Sequence, residues 1–161
     1  MSTMVRDPVC GMEVDPAQFD TTFEGIHYAF CSEQCRQRFI ANPHLYIGVP
    51  GEKAPRQRGM ELLKRRRFLL DTPLATQHAA ILADALGGMM GVKAIEIEDG
   101  SKVTITYDLL QATADQLESK MAEVGVKLGD GWAERLRRSF VHYTEECEVG
   151  SLEVRQYHRH G

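Results

Sequence analysis

Three cysteines near the N-terminus carry the clearest chemistry in this sequence. Cys10 sits in the run Asp7-Pro8-Val9-Cys10-Gly11-Met12, twenty residues separate it from Cys31, and Cys35 follows four positions later. A separation of four places Cys31 and Cys35 on one side of a helical turn. If that turn opens a helix, its N-terminus supplies partial positive charge that favours thiolate over thiol. Thiolate is the metal-binding form. Three thiolates suit Cu(I), or Zn(II) if a fourth ligand joins them. The nearby options for that ligand are Met12, a soft thioether that would favour Cu(I), and His27, which would fit Zn(II) or either metal. Water or a group from a partner would also serve. The competing reading of the three cysteines is a structural zinc knuckle, ordinary buried thiols, or a redox pair of Cys31 and Cys35.

The elements needed to bring these sulfurs together are legible. Pro8 and Gly11 mark a tight turn, or knuckle, around Cys10. Two extended runs, 19–24 and 26–30, flank Gly25 as a hairpin. Ser32 is placed to cap a helix over 33–41, and Asn42-Pro43 stops it. The hairpin lies between Cys10 and Cys31 and can fold the knuckle back onto the start of the helix.

The remainder reads as a linker and a second unit. Residues 48–59 carry prolines and glycines without apolar periodicity. From Lys53 to Arg67 there are seven Lys or Arg residues against one acidic residue, Glu61. This run is a solvated linker or a dock for an acidic partner or anionic surface. Phe68-Leu69-Leu70 reads as a short buried strand. Thr72-Pro73 reads as a helix start, with Leu74, His78, Ile81, Leu82 and Ala85 at helical spacing. Residues 95–97 and 103–107 alternate as strands about the turn Asp99-Gly100. Thr113 and Gln116 form a capping box ahead of Leu117, Met121 and Val124. Val126-Lys127-Leu128 reads as a last strand. The order strand, helix, strand, strand, helix, strand is the ferredoxin-like βαββαβ arrangement. A further helix follows, in which Trp132, Leu136, Phe140, Tyr143 and Cys147 share one face. Core packing is the expected role of Cys147; if the helix folds back, it would instead complete the N-terminal site. The tail ends in Tyr157-His158-Arg159-His160, where His158 and His160 make a weak metal-binding pair. The predicted fold is thus α+β, with a metal module at 1–47, a basic linker at 48–66, and a ferredoxin-like domain with an extra helix and tail at 67–161.

Composition limits the functions available. The chain has 161 residues and a net charge of -4, which argues against a general nucleic-acid binder. No apolar run is long enough for an integral membrane segment, and the first residues lack the apolar stretch of a secretory signal. The expected location is cytoplasmic, where clustered cysteines more often bind metal than form disulfides. No Ser-His-Asp set, phosphate-binding loop, paired catalytic carboxylates or dinucleotide fingerprint appears, so an enzyme is not expected.

The N-terminal pattern also carries a family resemblance. Asp7-Pro8-Val9-Cys10-Gly11-Met12 with Val14-Asp15-Pro16, then Gly25-Ile26-His27-Tyr28-Ala29-Phe30-Cys31-Ser32-x-x-Cys35, then Phe39 and Asn42-Pro43-x-x-Tyr46, resembles the YHS domain. That domain is grouped with treble-clef-like, TRASH-type metal-binding modules. The resemblance covers residues 5–47 and implies heavy-metal binding at Cys10, Cys31 and Cys35. Related zinc knuckles often carry a second cysteine three positions after the first, but Glu13 stands there, so a closed four-cysteine zinc site is not available. The second unit resembles, more weakly, the heavy-metal-associated domain of copper chaperones and copper ATPases. It lacks that domain's Cys-x-x-Cys, having Asp71-Thr72-Pro73-Leu74-Ala75-Thr76 in its place. Taken together, the sequence is read as a soft-metal protein, Cu(I) or Zn(II), in trafficking or buffering. Its implied partner is a heavy-metal transport ATPase or another metal-handling protein. The alternatives are a metal-responsive regulatory module and an accessory subunit of a metalloenzyme.

Overall fold

The computed structural model of the chain describes residues 3–154; His158 and His160 lie outside the described residues. Two compact units are present. The first comprises the described residues up to Glu61 together with those from Glu148 onward, and the second is Leu62–Cys147.

The first unit is built from short pieces around irregular backbone. Strands β1 (Val5–Arg6) and β2 (Glu13–Val14) pair antiparallel and close the knuckle between them. Strands β3 (Thr21–Phe23) and β4 (Ile26–Tyr28) form a hairpin whose two-residue turn, Glu24-Gly25, has positive φ at both positions. Helix α1 (Glu33–Ala41) starts where expected, with the Ser32 hydroxyl accepting from the Cys35 amide. It ends at Asn42, and a 3-10 turn, Pro43–Leu45, follows. Helix α1 buries Cys35, Arg38 and Phe39, one face at steps of three and four. Phe39 is the hub of an aromatic core, with ring centroids 4.9 Å from Tyr28, 5.2 Å from Phe30 and 5.8 Å from Phe23. The C-terminal segment also belongs here. The Glu153 carboxylate accepts from Asn42 Nδ2 at 2.8 Å and from the His44 amide at 3.1 Å, and Val149 and Val154 are buried.

The second unit has the predicted ferredoxin-like order. Strands β5 (Leu63–Leu69), β6 (Val92–Glu98) and β7 (Lys102–Asp108) form an antiparallel sheet in the order β5-β7-β6. Helices α2 (Thr76–Gly87) and α3 (Ala114–Glu123) supply Leu82, Leu86, Leu117 and Met121 to a core shared with Val103, Ile105 and Tyr107. The Thr113–Gln116 capping box forms as read. The expected fourth strand is reduced to one bridge, Leu70 to Leu128.

Three local expectations are corrected. Strand β5 begins at Leu63 rather than Phe68, pairing with β7 along its whole length. Its residues 64–67 are all basic, so no apolar alternation betrays it; long cationic side chains can lie along a sheet with their heads in water. Helix α2 begins at Thr76, not after Thr72-Pro73, because the Leu74 amide donates to the Gly100 carbonyl at 2.8 Å and holds that segment extended. A Cβ at Gly100 would lie 2.6 Å from the Leu74 oxygen, so the approach requires glycine. His78, which the spacing sets on the apolar face with Ile81 and Ala85, is exposed.

Helix α4 (Trp132–Leu152) departs most from expectation. The stripe read as core faces solvent: Trp132 is 75%, Leu136 62%, Phe140 65% and Tyr143 64% exposed. Cys147 is exposed as well, so it does not pack in a core. The opposite face is the buried one, and a carboxylate anchors it. Glu145 is 2% exposed, accepts from the Tyr107 hydroxyl and from the Ala114 amide at 2.8 Å, and lies 3.8 Å from Arg66 Nε. Burial, then the adjacent Glu145, pushes the Tyr107 hydroxyl pKa well above its ordinary value.

Replacing Glu145 with alanine would strand the Ala114 amide, the Tyr107 hydroxyl and Arg66 together. The expected loss is about 3–5 kcal/mol of stability in urea unfolding. Arg65→Ala, which removes the exposed pair with Glu96, is expected to change stability by less than about 0.5 kcal/mol. Equal midpoints for the two variants would contradict this account of α4.

Candidate metal centre

The knuckle is organised by one side chain. Asp7 is fully buried at the end of β1. Its Oδ1 accepts from the Val9 amide at 2.7 Å and the Cys10 amide at 3.2 Å, so its own carboxylate closes the turn. Its Oδ2 accepts from the Cys31 amide at 2.8 Å and from Cys10 Sγ at 3.2 Å. Backbone bonds from Asp7 N to Met12 O and from Gly11 N to Asp7 O complete the loop. Gly11 has φ +84, a conformation that side chains rarely adopt, and the Arg6 guanidinium lies against the space a Cβ would fill.

The three predicted cysteines converge. Cys10 Sγ lies 3.4 Å from Cys31 Sγ, which lies 3.5 Å from Cys35 Sγ. These sulfurs and an Asp7 carboxylate oxygen all lie within 4.8 Å of one another. The thiols are free, with Cys35 fully buried and the other two half-buried. Three sulfurs bound to one ion at bonds of about 2.3 Å stand about 3.8–4.0 Å apart. Ion entry therefore needs the triangle to open by only a few tenths of an ångström.

Their protonation is uneven. Cys10 is lowered from the ordinary thiol value, chiefly because Cys35 donates a hydrogen bond to it. Cys31 is pushed up to about 11, mainly by burial. Cys35 is pushed far up by that same bond to Cys10, then by burial and the Asp7 charge. The three thiols therefore differ in acidity, with Cys10 the most readily ionised.

The other predicted ligands stand apart. His27 Nε2 contacts the Pro16 carbonyl at 2.7 Å and lies 3.5 Å from Asp20, half exposed. It is not in the cluster, since the β3–β4 register turns its ring toward the 15–20 loop. Met12 is 49% exposed, just past the knuckle. Asp7 was not read from sequence as a site residue. Its signal was an acid three positions before Cys10, which looks like turn chemistry alone.

A compact knuckle, hairpin and capped helix carrying convergent thiols defines a small thiol-cluster module. Residues 5–49 match the family model of the YHS domain. Over 46 residues, 27% of this chain, the sequence is 48% identical to a copper-transporting P-type ATPase from Rhizobium leguminosarum bv. viciae, and the match spans 6% of that protein's length. Among solved structures, the solution structure of apo-CopP from Helicobacter pylori aligns with a TM-score of 0.38 and 17% identity, covering 40% of this chain and 98% of that one.

Two outcomes follow for the metal-free protein carrying Cys147→Ser. Alkylation by iodoacetamide, mapped by mass spectrometry, should reach Cys10 first and below the ordinary thiol range near about 8.5, with Cys31 resisting until about pH 11. Because Cys31 and Cys35 are raised, the stability they contribute is present below the ordinary thiol value and falls as pH rises above it. Asp7→Asn replaces an accepting oxygen with a donor facing the Cys31 amide or the knuckle amides. It should cost roughly 1–3 kcal/mol for each stranded donor. Unchanged melting and unchanged Cys10 labelling in Asp7→Asn would exclude the organising role of this carboxylate.

Proposed function

We propose that this chain binds one soft metal ion, Cu(I) foremost, at Cys10, Cys31 and Cys35 of a module spanning residues 1–47, and holds it for transfer or buffering rather than for catalysis. The observation that carries this reading is the convergence of three reduced sulfurs, 3.4 and 3.5 Å apart in sequence order, on one pocket. Soft thiolates select Cu(I), and three of them satisfy it without a fourth ligand. A three-coordinate ion leaves an approach open to a partner's thiolate, so exchange proceeds through a shared intermediate without releasing free ion. The half-exposed Cys10 and Cys31 are the natural point of entry, and buried Cys35 is the natural last bond to break. The match to a segment of a copper-transporting ATPase supports copper as cargo and a heavy-metal transport ATPase, or another metal-handling protein, as partner. No helix among the described residues is long and apolar enough to cross a membrane. A cytoplasmic setting, where the thiols stay reduced, fits the proposed role.

One observation favours a second reading. The Asp7 carboxylate reaches the cluster, so Zn(II) would find three sulfurs and one oxygen. In that case Asp7 must give up a bond to Cys10 or to the Cys31 amide, which ties zinc binding to rearrangement of the knuckle.

Metal analysis of protein purified anaerobically tests both. One Cu(I) per chain, retained against a weak chelator and absent from the variant carrying Cys10→Ser, Cys31→Ser and Cys35→Ser, is the expected result. Asp7→Ala should abolish Zn(II) binding if zinc uses the carboxylate, and should weaken Cu(I) about 10–100-fold if Asp7 only orients the sulfurs. Equal metal content in the parent and the triple serine variant would remove the proposal.

A further inference from the structure

Helix α4 presents a second surface unrelated to the thiol cluster. At 100° per residue, Trp132, Leu136, Phe140, Tyr143 and Cys147 fall within an arc of about 80°. The opposite side carries Arg138 and Val141, half-buried, and Glu145 and Val149, buried. The solvent face is therefore apolar in excess of anything the fold requires. From Leu136 to Cys147 the steps of four, three and four are the spacing of a two-helix seam. The exposed portions of Trp132, Leu136, Phe140 and Tyr143 amount to roughly 500 Å² per chain. Two such faces would bury on the order of 1,000 Å², the lower bound for a specific interface.

The flanking charges select the orientation. Arg135 and Glu146 lie on one flank of the stripe, with Arg137 and Thr144 on the other. Both Arg135 and Glu146 are exposed, and Arg135 makes a 4.0 Å surface pair with Asp130. In a parallel pair opposite flanks meet, and Arg135 comes beside the other copy's Arg137. In an antiparallel pair like flanks meet. When Phe140 is set opposite the other copy's Tyr143, Arg135 comes within reach of the other copy's Glu146, twice by symmetry. The same register sets Leu136 against the other copy's Cys147.

We propose that α4 is the interface of an antiparallel, two-fold homodimer. Sedimentation velocity of the full chain at high micromolar concentration should give twice the 18.1 kDa chain mass. Phe140→Glu should return it to one chain mass with an unchanged circular dichroism spectrum, since that side chain faces away from the protein core. Arg135→Glu should weaken association at least tenfold, and adding Glu146→Arg should restore it. Under mild oxidation, Leu136→Cys should give an intermolecular disulfide to Cys147 by peptide mapping. A single-chain mass throughout, a dimer indifferent to Phe140→Glu, a native Cys147–Cys147 link that marks a parallel pair, or a monomer that instead sediments with anionic vesicles through this stripe would each overturn the proposal.

Discussion

One buried carboxylate holds the N-terminal unit together at the point where its chemistry lies. The Asp7 carboxylate makes four contacts, three to the knuckle and one to the amide of Cys31, two residues before α1. Two segments twenty-four residues apart are thereby fixed at hydrogen-bond length. The sulfurs meet because the backbones carrying them are joined, not because their rotamers happen to agree. Satisfied buried polar groups specify a single arrangement, and an unsatisfied one is costly, so this geometry is held in both directions. The Ser32 cap then sets the phase of α1 and brings Cys35 to the third side of the triangle.

The second unit uses the same device without any thiols. Asp108, fully buried, accepts from the Leu62 and Leu110 amides and from Gln111 Nε2, fixing the exit of β7. Glu145 ties α4 to β7 and to the first turn of α3. In both units a short irregular stretch, which no helix or strand ladder can satisfy, is satisfied by an acid. The apolar core supplies bulk, while these acids decide which way the chain turns.

What was legible in the sequence follows from the range of each interaction. Cysteine spacing, the Ser32 cap and the Thr113–Gln116 box are local patterns, and all are realised. The position of Asp7 before Cys10 signals a turn, but its bond to the Cys31 amide spans a hairpin and has no local signature. His27 has the residue type of a ligand, but strand register sends its ring elsewhere. The α4 stripe is legible as a face, but amphipathic spacing does not say what that face packs against. The buried face of α4 includes Arg138, Val141, Glu145 and Val149, two of them charged and paired, so hydrophobicity pointed the wrong way. β5 was shortened because its basic residues hide an alternation that only pairing with β7 makes real.

The reduction of the last strand to a single Leu70–Leu128 bridge leaves β5 at one edge of the sheet, where the Arg67 carbonyl accepts from Arg137 Nη2 at 3.1 Å. That margin carries Lys64, Arg65, Arg66 and Arg67 in succession. Cationic residues on an unpaired margin repel a like strand and discourage sheet extension from one molecule to the next. A run that reads as a linker in the sequence thus sets like charges along β5, one of the two edges of the sheet, β6 being the other.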